Sequence, residues 1–386
     1  MRDSDPPARA HGLGDTHGAN ESRGPSDPRG GSVSRDSDST ARMLSPSRYL
    51  AWLYSPEAQQ PVLAKLCEIE SEIAGSLRPG IDHHVAHARL QWWQEECERC
   101  AQGRPVHPLT RDLVKAYGAA AAQQPSPLAG LSGFVDTAVW DLAGATFETR
   151  KELAAYCERW AAAMFETAAA QVVSTAAGAA AAVTAGEPQP SEAAHSTRAI
   201  QAARMTQASN ALGGAAPAAS GGTASNTSGG AVPGASGNAA LDGTAQVVLR
   251  WRVLGAAVRE IELLADLARE AHAGRVRIPL DELDRAGLEV SSVGKPPWPG
   301  PLVTLLRERH EALRATVRES IAALGREEQA GFRGLLVWAA LSWQQSARAQ
   351  RALPGIILPR RYHALADGWL AWRAARRSAA GKLKLG

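Results

Sequence analysis

From Leu44 onward, apolar side chains recur at three- and four-residue steps, and no credible strand-like alternation appears anywhere in the chain. The pattern predicts helix after helix. Ser45-Pro46 opens the first, with Tyr49, Leu50, Leu53 and Tyr54 periodic. Ser55-Pro56-Glu57 opens the second, which runs through Leu63, Leu66, Ile69 and Ile73. Asp82 is placed to cap a third helix from Val85 to Cys100, because a short acidic side chain there accepts from the first free amides. Two more fall between Leu128 and Trp160, the second starting at Thr149, with Glu152 three residues on in the capping-box pattern. Long helices follow from Leu302 to Leu324 and around Phe332 to Trp343, and the last covers Tyr362 to Arg377 with Leu365, Trp369 and Trp372.

The stretch Val253 to Leu288 carries the most information. Leu254, Val258, Ile261, Leu264 and Ala268 mark a buried helical face that stops at Gly274. A short extended piece, Val276 to Pro279, then leads into a second short helix from Leu280 to Gly287. Asp266 and Glu270 are four residues apart, so their carboxylates project side by side from one helix. Two such groups repel unless a cation sits beside them, and Mg2+ prefers oxygen ligands of this kind. An ordinary solvated face, with Arg269 and His272 as neighbours, fits the same spacing.

Composition narrows the classes. Residues 1–43 are rich in Arg, Asp, Ser, Pro and Gly, and 176–245 is mostly Ala, Gly, Ser, Thr, Asn and Pro. Neither stretch has apolar bulk to offset the entropy of ordering, so both are expected to be disordered: a tail, and an insertion within one helical domain spanning 44–377. Residues 378–386 form a basic tail. The basic run Arg373, Arg376, Arg377, Lys382 and Lys384 fits either a solvated terminus or peripheral contact with anionic lipid. A formal charge of +3 over 386 residues, with no Lys/Arg cluster alternating with aromatics, does not indicate nucleic acid. The four cysteines, Cys67, Cys97, Cys100 and Cys157, all sit in helical patterns and suit a reducing compartment. Cys97 and Cys100 have CxxC spacing but no second pair, and His83 and His87 lack further ligands, so zinc is not expected. No apolar run is long enough to span a bilayer, and no secretory or transit signal is recognisable, which makes cytoplasmic residence the default.

The order Leu-Gly-x-Ala from Leu254, the acidic helix, Gly-Arg-Val-x-Ile-Pro-x-Asp-Glu-Leu from Gly274 and a closing glycine resembles the second signature of the squalene/phytoene synthase family. Arg89-Leu-x-Trp-Trp followed by Gly103-x-Pro-x-His-Pro, and Leu153-x-x-Tyr-Cys, are similar to further segments of that family. The resemblance implies an all-α fold of the isoprenoid synthase type around a central cavity. It also implies head-to-head joining of two prenyl diphosphates with Mg2+ as cofactor. Carried over, the second metal motif falls on Asp266 and Glu270, with Glu262, Ala265 and Arg269 standing where the family has an Asn or Gln, an Arg and an acid. The first motif falls on a helix with Glu68, Glu70 and Glu72 but no Asp pair, and Glu68 and Glu72 share one side as the candidate ligands. Tyr156, lining the cavity, and Asp266 are the candidate catalytic residues, Asp141 is a further candidate for substrate binding, and Arg89 and Arg275 are candidate diphosphate contacts. Two functions remain open: an active synthase, and a binder of prenyl diphosphate or a related isoprenoid lipid with weakened or absent transferase activity. The second includes a non-catalytic respiratory-complex assembly protein on the same fold. Loss of one metal clamp favours it.

Overall fold

The computed structural model describes residues 44–122, 126–144, 146–172, 235–355 and 364–386. The expected tail over 1–43 and most of the Ala/Gly/Ser segment lie outside them. Every regular element among the described residues is helical, as the periodicity predicts. They are α1 Pro46–Tyr54, α2 Gln60–Gly75, α3 His83–Ala101, α4 Pro108–Tyr117, α5 Ser132–Leu142 and α6 Arg150–Ala161. After the Ala/Gly/Ser stretch come α7 Ala235–Ala265, α8 Leu267–His272, α9 Leu280–Arg285, α10 Gly300–Ala322, α11 Arg326–Gly331, α12 Arg333–Ala352 and α13 Ala364–Ala379. None is long and apolar enough to cross a membrane.

The helices group around a seam between α6 and α7, the two segments that flank the Ala/Gly/Ser stretch. Helix α7 also packs on α10 and α12, while α12 carries α1 and α13, and α5 bridges α3 to α6. The Leu-Gly-x-Ala signature has a steric cause here. A Cβ at Gly255 would lie 2.7 and 2.8 Å from Phe165 Cγ and Cβ and 2.9 Å from Ala161 Cβ, so only glycine lets the helices approach this closely. Helix α6 widens into one π-type turn over Ala162–Glu166, which swings Phe165 against Trp160 and Trp338. Trp160, Trp251, Trp338, Tyr156, Phe134, Phe147 and Phe165 are the largest fully buried side chains.

Local chemistry sets the element ends. Asp82 caps α3 by accepting from the amides of His84 and Val85, as its position predicts. At Thr149 the box does not form: Thr149 makes no side-chain cap, and Glu152 accepts from the amide of Glu148, one residue before the cap, at 2.7 Å. The adjacent tryptophans of the Arg89-Leu-x-Trp-Trp motif divide, with Trp93 buried and Trp92 39% exposed. The Gly-x-Pro-x-His-Pro turn is held by Glu96, which is fully buried and accepts from the amides of Val106 and His107 at 2.8 Å each, from Thr110 Oγ1 and from Arg99 Nε. Burial opposes ionisation of Glu96, but these donors outweigh it and keep its carboxyl below the usual range.

Replacing Gly255 with Val is expected to cost about 1–3 kcal/mol of folding stability, because Phe165 and Ala161 are backed by core and cannot yield. Urea unfolding followed by circular dichroism measures it, and an unchanged midpoint would contradict a sterically set seam.

Candidate functional site

Where α2, α6 and α7 converge, eight charged side chains form one connected chain. It begins on α1. Arg48 makes a two-pronged contact with Glu70 of α2, and its Nη2 lies 3.7 Å from Glu262 Oε2 on α7. The Arg48 guanidinium is sandwiched by two indoles, 5.8 Å from the Trp160 centroid and 5.1 Å from that of Trp338. The same tryptophans donate to the carboxylates, Trp160 Nε1 to Glu70 at 2.7 Å and Trp338 Nε1 to Glu262 at 3.0 Å. One turn before Glu262, Arg259 reaches both Glu262 at 3.5 Å and the Tyr156 hydroxyl at 3.3 Å, with its plane over Trp160.

Tyr156 then joins two halves of the chain. Its hydroxyl accepts from Arg259 and donates to Asp141 Oδ2 at 3.1 Å. Asp141 Oδ1 pairs with Arg277 Nη2 at 2.8 Å, and the same nitrogen lies 3.0 Å from Glu270 Oε2. Arg275 closes the line with two bonds to Glu270, at 2.8 and 3.1 Å. The backbone dictates this last contact. Gly274, at φ +80°, permits the left-handed turn in which the Gly274 amide bonds Ala271 O and the Arg275 amide bonds Glu270 O, folding Arg275 back over the carboxylate one helical turn earlier.

The result is four carboxylates matched by four guanidiniums, all on the same chain. Burial alone would lift the Glu270 carboxyl, but Arg275 and Arg277 outweigh it and hold it at about 2. Glu70 is likewise held low by Arg48 against its burial. Burial keeps the Tyr156 phenol above its ordinary value and so neutral, the form that donates to Asp141. Asp266 differs. The helix breaks at this residue, between α7 and α8, and the part-exposed Asp266 carboxylate pairs with Arg269 at 2.5 Å. Burial and the neighbouring Glu270 raise its carboxyl against the pull of Arg269.

The structure therefore separates the residues that spacing groups. Tyr156, Asp141, Glu270 and Arg275 come together, whereas Asp266 sits at the edge. On α2 it is Glu70 that faces α7; Glu68 is held by Lys65 at 2.8 Å, which also reaches Asp112. Glu72 and Arg89 line a separate groove with Arg78, Trp92, Trp93 and His107. Arg48, Arg259, Glu262, Arg277, Trp160 and Trp338 are the site residues that the spacing argument passed over. Arg259 and Glu262, three apart on one helix, carried the only local signal. As arranged, these residues do not fit Mg2+: Glu70, Glu262 and Glu270 already have guanidinium partners. No group of three or more His, Cys, Asp or Glu side chains among the described residues is placed to hold a metal ion.

Two measurements probe this network. Arg277 is 3% exposed and serves two carboxylates, so Arg277→Met is expected to cost about 3–5 kcal/mol in chemical denaturation, whereas Arg275→Ala, at a third exposed, should cost about 1 kcal/mol or less. Equal losses would contradict the network. The depressed Glu270 carboxyl contributes stability that is complete above its ordinary 4.5 and lost as pH falls towards about 2. A Glu270→Gln variant should therefore lose less stability than the parent across that acid range, and parallel acid limbs would refute the assignment.

The comparisons agree with this architecture. A dehydrosqualene synthase, solved in complex with ligand, superposes at TM-score 0.57 with 13% identity, covering 89% of this chain and 95% of its own. The squalene synthase HpnC from Alicyclobacillus acidocaldarius superposes at 0.53, also at 13% identity, covering 84% of this chain and 96% of its own. At such identities the likeness speaks for the fold alone. No curated protein matches the sequence significantly. The family model for squalene/phytoene synthase matches residues 41–365, and with the Leu-Gly-x-Ala seam and the Gly274 turn in place, the chain belongs to the squalene/phytoene synthase family.

Proposed function

We propose that this protein binds a prenyl diphosphate or a related isoprenoid lipid on the family's fold, with head-to-head prenyl transferase activity weakened or absent. The observation that carries this reading is the self-neutralised chain from Glu70 to Arg275. Head-to-head joining requires the departing diphosphate's charge to be offset, and carboxylates that recruit cations for that purpose must have free oxygens. Here the built-in guanidiniums occupy them. Breaking such pairs to admit a cation would leave buried arginines uncompensated, which is unfavourable by several kcal/mol.

Binding is supported separately. The Nε atoms of Arg259 and Arg277 are buried and lack a hydrogen-bond partner, so each guanidinium keeps a donor that an anionic oxygen can use. Trp160, Trp338, Phe165 and Tyr156, all fully buried, make the core beside them aromatic and apolar. An active synthase is the second reading. Asp266 favours it, since Arg269, its ion-pair partner among the described residues, is 67% exposed and offers weak competition for a cation.

Purified protein incubated with farnesyl or geranylgeranyl diphosphate and Mg2+ is expected to retain the lipid without releasing diphosphate, and chelation of the metal should leave that binding intact. Diphosphate release that disappears in Asp266→Ala would establish the synthase instead. Absence of binding to either compound would remove the lipid from the proposal altogether.

A further inference from the structure

Helix α13 is apolar on both sides, for two different reasons. Its inner face presents Ala371, Ala374, Ala375 and Ser378, all buried, and small side chains there let it lie close on α12, α11 and α1. Its outer face presents Leu365, Trp369 and Trp372 at steps of four and three, which places them in one stripe. They are 92, 57 and 46% exposed, making this a row of large apolar side chains where a solvated helix would carry polar ones.

The charges beside the stripe have a single sign. Arg373, Arg376 and Arg377 continue the exposed face, and Lys382 and Lys384 follow the helix; together with Trp372 and Ala380 they line a shallow groove. None of these five cations pairs with a carboxylate among the described residues, whereas each arginine of the central network does. The acid of this helix, Asp367, is already committed to Arg348 at 2.7 Å. Arg373 lies over the Trp369 ring at 5.2 Å and Arg376 over Trp372 at 5.5 Å, so each indole has a guanidinium at its side.

We infer that α13 and the residues after it form a docking surface for an anionic lipid bilayer, with Leu365, Trp369 and Trp372 entering the headgroup boundary and the five cations meeting lipid phosphates. Indoles favour that boundary because their bodies are apolar and their N–H groups wet. Basic side chains next to an apolar stripe add attraction to anionic lipid, and the two together bind a surface without spanning it. A single-stranded nucleic acid would need open ring faces on which successive bases stack, whereas here a guanidinium already lies over each of the two indoles. The inference does not depend on the central site, which shares none of these residues.

Cosedimentation of the full chain with vesicles tests it, comparing phosphatidylcholine alone with phosphatidylcholine containing phosphatidylglycerol. Binding is expected only to the anionic vesicles and should weaken with added salt. The triple variant Arg373→Gln, Arg376→Gln, Arg377→Gln should lower the partition coefficient on the order of a hundredfold, roughly fivefold per charge. Trp369→Ala with Trp372→Ala should lower it as well, while circular dichroism remains that of the parent. Equal partition onto both vesicle types, no partition onto either, or partition unaffected by both sets of substitutions would overturn the inference. So would tighter binding to a single-stranded oligonucleotide, or self-association that the tryptophan substitutions abolish.

Discussion

The guanidinium–carboxylate chain running from Glu70 to Arg275 is the constraint on which the centre of this molecule depends. It joins α1, α2, α5, α6 and α7 with the Gly274–Pro279 connection through contacts that are directional as well as electrostatic. Hydrophobic burial can hold helices together in several registers, whereas a two-pronged arginine contact accepts one. Buried pairs of this kind add little net stability compared with well-packed apolar residues. What they supply here is a fixed arrangement, because displacing any member leaves its neighbour charged and buried. Tyr156 is the pivot: kept neutral by burial, it accepts from Arg259 and donates to Asp141 and so couples the two halves without adding charge.

This network can form because the seam between α6 and α7 is narrow. Gly255 brings α7 onto Phe165 and Ala161, and the π-type turn at Ala162–Glu166 sends Phe165 inward to meet Trp160 and Trp338. Those two indoles then flank Arg48 and donate to Glu70 and Glu262. A steric feature of the backbone thus sets the electrostatics of the site. The same network bears on the chemistry, since carboxylates occupied by the protein's own cations are poorly placed to gather others. Charge balance separates the two functional surfaces: the centre is neutral through internal pairing, while α13 presents cations without internal partners beside an apolar stripe.

Much of this was legible in the sequence because it depends on local rules. Three-to-four periodicity gave the helices, Asp82 and Gly274 gave ends fixed by hydrogen bonding and by backbone freedom, and the grouped motifs gave the family. Tyr156, Asp141 and Arg275 stood out as single candidates, whereas the contacts of Tyr156 with Asp141 and of Arg275 with Glu270 come from the fold. Of the three glutamates of α2, it is Glu70 that meets α1 and α6. Helical geometry shows that Glu70 points away from Glu68 and Glu72, but not which of the two faces meets α7.

What the sequence determined by itself, then, is the set of helices, their capped ends and the glycine that permits the seam, since each depends on side chains within about one helical turn or on the volume of one residue. Tertiary structure alone decided the partners. Arg48 and Glu262 are more than two hundred positions apart, Trp338 still further along, and Arg277, on the connection after α8, meets Asp141 of α5. Their charges can be counted from the chain, but whether a carboxylate faces solvent, a cation or a guanidinium follows from which surfaces meet. Packing chose that at the α6–α7 seam, and in doing so turned an acidic motif into a closed set of ion pairs.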